Sequence, residues 1–396
     1  MSIHADATAL ADEITALRHA IHREPEIGLE LPRTQEKLLG ALDRLPLEIA
    51  KGDRLNSVTA VLRGGRPGPV VLLRADMDAL PVTECTGVSY ASRTDGAMHA
   101  CGHDTHTAML AGAAELLTAR RAELPGSVIF MFQPGEECAD GAARMIDEGV
   151  LDAAGARPVA AYALHVVSDL TLGVCSTRPG PMLAASDEID VTVRGAGGHG
   201  SQPHHARDPI PPACEMVTAL QTFVTRSFDV FDPVVITVGV FRAGTVVNVI
   251  PDEATFHATI RSFSPDARAR VRDGAVRVLH SVAAAHGVTA EVEYLEQCPV
   301  TVNDARETAF ASEVIAELYG PDRIRAARNP ITGSEDFSLV LNEVPGAFVL
   351  IGACPPGTDP DAAAYNHSPK AVFDDAVLPD GAALYAELAL RRLAAG

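Results

Sequence analysis

The chain has 396 residues, more than one hydrophobic core usually organises, so two domains are expected. Hydrophobic residues make up 47% and charged residues 21%, the balance of an ordinary globular protein. A net charge of −20, with Lys37, Lys51 and Lys370 as the lysines, argues against nucleic acid and anionic membranes as partners.

The opening segment MSIHADATALADEITALRHAIH has acidic residues where a signal peptide needs a basic start and an apolar core. No later run reaches the roughly 18 apolar residues of a transmembrane helix. The seven cysteines are dispersed and fit reduced thiols, so a cytoplasmic location is expected. Leu10, Ile14, Leu17 and Ile21 recur at helical spacing. Short dense apolar runs then read as buried strands at 58–62, 70–73, 128–132 and 159–164, separated by helices that include 107–121 and 141–148. That alternation predicts an α/β fold with a mostly parallel sheet covered by helices.

The pattern changes in the middle of the chain. Segments 188–194 and 253–261 alternate polar and apolar residues, as strands with one solvated face do. Helices at 212–226 and 266–286 and strands at 234–240 and 289–294 complete a smaller α+β module. The predicted division is an outer domain of residues 1–183 and 299–396 with an insert at 184–298. The α/β rhythm returns with a helix at 307–318, a strand at 347–351 and a closing helix at 379–393.

Chemistry concentrates in MHACGHDTH, residues 98–106, where three histidines and a cysteine fall in one short window. Cys101 and His103, two apart on a segment read as extended, would project to one side and share a metal. Thiolate and imidazole suit zinc or a similar late transition metal. Glu136 and Glu137 follow the strand VIFMF, at the strand end where α/β folds place ligands. On extended backbone one would bind metal while the other faces substrate. An acidic helix start is the bland alternative for this pair. His165 and His367 are read as following strands of the same sheet. Asp76 and Asp78, in RADMDALP, are either direct ligands or carboxylates that orient ligand histidines.

The segments RADMDALP, MHACGHDTH, FQPGEE, LHV, GGHGSQPH, NVIPDEA and NHSP, in this order, resemble a family of di-metal amidohydrolases. It contains hippurate hydrolases, N-acyl-amino-acid amidohydrolases and auxin-conjugate hydrolases, within the aminoacylase- and carboxypeptidase-like metallopeptidases. The resemblance implies two divalent ions per subunit (zinc, manganese, cobalt or nickel) on Cys101, His103, Glu137, His165 and His367. Cys101 resembles the shared ligand and Glu136 the general base. His199 resembles a histidine that reaches the substrate carbonyl, within its own chain or across a dimer. Asn248, Arg261 and Gly333 resemble substrate contacts, and the insert resembles a lid that also dimerises. The implied substrate is an N-acyl amino acid.

Three other readings compete. Gly195 to Gly200 spells G-x-G-x-x-G, but the prolines that follow deny it the helix a dinucleotide needs. A dipeptidase would share all the machinery and differ in its pocket. A non-catalytic metal or small-molecule binder on the same fold has no need of Glu136. No lysine follows a Gly-rich loop, which excludes a phosphate-binding P-loop.

Overall fold

Aliphatic and β-branched runs place four strands side by side and parallel at the centre of an eight-stranded sheet. The computed structural model describes residues 2–137 and 140–396. In spatial order the strands are Glu48–Lys51, Val58–Arg63, Pro125–Gln133, Arg66–Asp76, Ala160–Thr171, Gly346–Cys354, Cys175–Thr177 and Ile324–Ala326. The middle four run parallel; Val58–Arg63 and Cys175–Thr177 join them antiparallel, Glu48–Lys51 pairs antiparallel with the former and Ile324–Ala326 parallel with the latter. Val71, Leu72 and Leu73, like Ile129 through Phe132, are buried in succession, so both faces of the sheet are covered.

Alanine-rich helices do much of that covering. His103–Thr118 and Val377–Ala395 pack on one another and on the sheet, with Ala108, Ala111, Ala382 and Ala386 in a single core. The helical periodicity of the first forty residues resolves into three helices, Ile3–Ala9, Ala11–His22 and Pro32–Leu42. Register sets the level of the polar strand ends. Asp76 lies opposite Gln133, and Arg74 opposite Ala163, which brings Asp76 level with His165. The strands Glu48–Lys51, Cys175–Thr177 and Ile324–Ala326 have no counterpart in the sequence reading. At three or four residues each, they are too short to show a period.

The chain divides into two compact units. One comprises residues up to Met182 with Val302–Asn329 and Leu339–Gly396, and the other Leu183–Thr301 with Pro330–Ser338. Segment Pro330–Ser338, counted with the outer region from sequence, therefore clusters with the middle unit. That unit is an antiparallel sheet in the order Val234–Ala243, Glu253–Ser262, Ala185–Arg194, Thr289–Glu296. Helices Ile210–Ser227 and Pro265–His286 bury Met216, Leu220, Val271 and Leu279 with Ile189, Val191, Val193 and Phe256. The glycines from Gly195 to Gly200 lead into a two-residue strand, Gly198–His199, and not into a helix. A dinucleotide pyrophosphate would find no helix terminus there.

Candidate metal centre

Gly102 shapes the site. It adopts φ +89, and a Cβ there would lie 2.4 Å from the Val166 side chain and 3.2 Å from the Phe373 ring. Only glycine meets both demands. His103 is the first residue of helix His103–Thr118, so this turn, and not an extended segment, directs Cys101 and His103 together. Three further expectations change in the same way. Glu136 and Glu137 sit in a turn, His165 lies within the strand Ala160–Thr171, and His367 stands in a turn beyond the last strand. His367 has φ +71, uncommon for a non-glycine residue. Its amide is held on the Ala100 carbonyl at 2.9 Å.

The five residues proposed as ligands from sequence converge. Cys101 Sγ is 3.4 Å from His165 Nε2 and 3.3 Å from His367 Nε2. Glu137 Oε1 is 3.1 Å from His367 Nε2 and 3.9 Å from His103 Nε2. Two trios, Cys101–His103–His165 and Cys101–Glu137–His367, each have donor atoms within 4.8 Å of one another, and the sulfur belongs to both. Glu136 joins a third such trio with His103 and Glu137.

The carboxylates next to this cluster have separate tasks. Asp78 accepts the backbone N–H of Glu136 at 3.0 Å on Oδ1 and that of Glu137 at 3.1 Å on Oδ2. Its Oδ1 is also 3.4 Å from His103 Nδ1. Asp76 instead faces His106 Nδ1 at 2.5 Å through Oδ1 and accepts from Arg74 at 2.7 Å through Oδ2.

A cation suits the donor set. Both ring nitrogens of His103 and Glu137 Oε1 are buried and make no well-aligned hydrogen bond, their ion-pair contacts being Asp78 Oδ1 at 3.4 Å and His367 Nε2 at 3.1 Å among others. Each such atom costs about 1–3 kcal/mol of lost solvation, which a bound cation offsets. Burial, with Glu137 nearby, pushes the Cys101 thiol up, and burial pushes the His165 imidazole well down. Cys101 and Glu137 together hold His367 up, to about 10. A metal ion bound on this cluster would displace protons from it.

Several supporting residues carry no ligand spacing in the sequence. Asn366 donates to the carbonyls of Cys101 at 3.2 Å and Val166 at 3.0 Å and accepts from Ser168, tying three segments together. Asp104, buried behind His103, accepts from Arg18 at 3.0 Å and pairs with His22 at 2.9 Å. Burial opposes charge on His22, but Asp104 and Glu84 outweigh it and raise its pKa to about 9. Arg18 and His22 show in sequence only as polar residues inside an apolar helix pattern, whereas Asp104 and Asn366 lie in MHACGHDTH and NHSP with no role assigned to them there.

The remaining candidates lie in the middle unit. His199 pairs with Val249, and the Gly200 amide donates to the Asn248 carbonyl at 2.8 Å, so the NVIP segment runs alongside His199. Ser201 N–H donates to His199 Nδ1 at 3.2 Å, which leaves the proton of the neutral ring on Nε2. Arg261 donates through Nη1 to Ser186, Thr259 and the Ile260 carbonyl. The Gly333 carbonyl accepts from Ala184 N at 2.9 Å.

Residues 72–391 match peptidase family M20/M25/M40. An N-acetylcysteine deacetylase of Bacillus subtilis is 37% identical over 94% of this chain and 95% of its own length. A hippurate hydrolase of Campylobacter jejuni is 32% identical over 99% and 100%. The crystal structure of a dinuclear metal-binding peptidase of the M20 family from B. subtilis superposes with a TM-score of 0.84 at 34% identity, covering 98% and 99% of the two chains. Among the described residues no helix is long and apolar enough to cross a membrane. The chain belongs to peptidase family M20/M25/M40, as a hydrolase of amide bonds that uses divalent metal.

Proposed function

We propose that the chain hydrolyses N-acyl amino acids to a carboxylic acid and a free amino acid, with two divalent ions on Cys101, His103, Glu137, His165 and His367. The observation that carries this reading is the pair of donor trios sharing one sulfur. Relatives that deacetylate N-acetylcysteine or hydrolyse hippurate support the substrate class. When bound, such ions supply Lewis acidity towards water and the scissile carbonyl. Glu136 takes the proton of the attacking water and passes it to the departing nitrogen. Asp78 holds the peptide that carries Glu136 and Glu137 and faces the back of His103. Arg261, Asn248 and Gly333 are assigned to the amino-acid part of the substrate, with guanidinium matched to carboxylate. Zinc, cobalt and nickel suit the thiolate and imidazole donors, and manganese joins them as the family resemblance implies.

A panel of N-acetyl, N-benzoyl and indole-acetyl amino acids, with dipeptides beside them, tests this reading in metal-reconstituted protein. Acyl amino acids should turn over and dipeptides should not. Chelation should abolish the activity and one of the four metals restore it. Preferential dipeptide cleavage would reassign the substrate, and full activity in metal-free protein would sink the proposal.

His199 is proposed to donate from Nε2 to the developing oxyanion. The contact strengthens in the transition state, so His199→Ala should lower kcat about a hundred- to a thousand-fold and leave metal content unchanged. A homodimer is proposed through the middle unit. Strand Val234–Ala243 is a sheet edge with Val235, Val240 and Phe241 exposed, an arrangement that pairing with a second copy would cover. If His199 acts across that dimer, mixing inactive His199→Ala with inactive Glu136→Gln restores activity in mixed dimers. No recovery after verified subunit exchange would place its action within one chain.

A further inference from the structure

His106 lies close enough to Asp76 and His103 to count as a ligand, but its ring has no lone pair to give. The Val166 amide, which can only donate, points at His106 Nε2 from 2.8 Å. Nε2 is therefore unprotonated, and the ring proton sits on Nδ1, directed at Asp76 Oδ1. Both nitrogens are engaged, and the ring is fully buried. The other side of the same residue continues the chain of contacts, in the next peptide group. The Val166 carbonyl, which can only accept, faces His165 Nδ1 at 2.8 Å. His165 must then carry its proton on Nδ1 and present the Nε2 lone pair, which lies 3.4 Å from Cys101 Sγ.

We infer that His106 is a positioning residue that anchors the Val166 backbone through its N–H and so places the Val166 carbonyl that sets the tautomer and direction of His165, with Asp76 fixing His106 in turn. The inference rests on reading His165 as a metal ligand. Arg74 on the second Asp76 oxygen and Thr107 on the Asp76 carbonyl hold the start of the relay in place. The rings of His106 and His165 also meet edge to face, with centroids 4.6 Å apart. The Val166 carbonyl thus orients His165 as a carbonyl or carboxylate orients other ligand histidines, and His106 with Asp76 holds the residue that carries it.

Two side chains separate this relay from simple core packing. In His106→Gln the amide oxygen reaches the Nε2 position and can accept from Val166. In His106→Asn the amide reaches only the Nδ1 position, keeping Asp76 and abandoning Val166. Cobalt(II) titration of chelator-stripped protein, against a competing chelator, reads affinity without turnover. The Asn variant should bind one of its two ions about 10–100-fold more weakly, whereas the Gln variant stays within a few-fold of the parent. Equal affinities in the two variants, or a stronger site with Asn, would overturn the relay while leaving the ligand assignment intact. A parent that binds no cobalt would overturn the ligand assignment itself. Nitrogen NMR of histidine-labelled parent tests the relay with no variant. It should show Nδ1–H on both His106 and His165, and an Nε2–H tautomer on His106 would refute it.

Discussion

Glu136→Gln should lose about a hundred- to ten-thousand-fold in turnover, the usual worth of a general base, while its metal content matches the parent. Glutamine keeps the size and the backbone of this position. The Glu136 amide would still rest on Asp78 Oδ1, so the turn that also carries Glu137 should stay in place. Glu137→Gln should show the opposite split. Glu137 Oε1 is buried, 3.1 Å from His367 Nε2 and grouped with Cys101 and His367, so the change removes charge from the proposed cation site. Metal analysis and kcat, measured side by side on both variants, decide the assignment. Since Glu136 shares a possible donor trio with His103 and Glu137, a metal-depleted Glu136→Gln and a metal-replete but inert Glu137→Gln would reverse the two roles.

Cys101→Ser should lose both metal and activity, because a neutral hydroxyl is a far poorer ligand than a thiolate. The sulfur belongs to both donor trios, so its loss should weaken two sites where other ligand changes weaken one. The parent should also release protons as metal binds, since the thiol is pushed up by burial and His367 is held up to about 10. Apparent affinity should accordingly rise with pH, by about tenfold per unit for each proton released. A pH-stat titration with zinc reads the protons, and Cys101→Ser should release fewer. Equal metal content in Cys101→Ser and the parent would remove the sulfur from the site. Exposed Cys85 and Cys214 serve as controls, because their replacement should change neither quantity.

Local pattern was enough for the parts of this chain whose physics is local. The apolar runs before Asp76, Gln133 and His165 read as buried strands because each is too dense for a solvated face. The alternation in Ala185–Arg194 and Glu253–Ser262 read as half-buried strands for the converse reason. The windows containing Cys101, His103, Glu136 and Glu137 stood out because donor residues cluster there in sequence. Tertiary structure decided how those donors meet, and the local arguments failed at that step. Cys101 and His103 are brought together by the left-handed turn at Gly102, and the acidic pair by its anchorage on Asp78. The roles of His106, Asn366 and the Arg18–Asp104–His22 brace were not legible, even where the residue falls in a motif such as MHACGHDTH or NHSP. Each acts through a partner 60 or more positions away, such as Val166 for His106, Cys101 for Asn366 and Arg18 for Asp104. A hydrogen bond depends on distance in space, and sequence spacing reports that distance only within a few turns of one element. The tautomer of His165 was likewise invisible in the sequence, because a peptide carbonyl sets it and every residue has one.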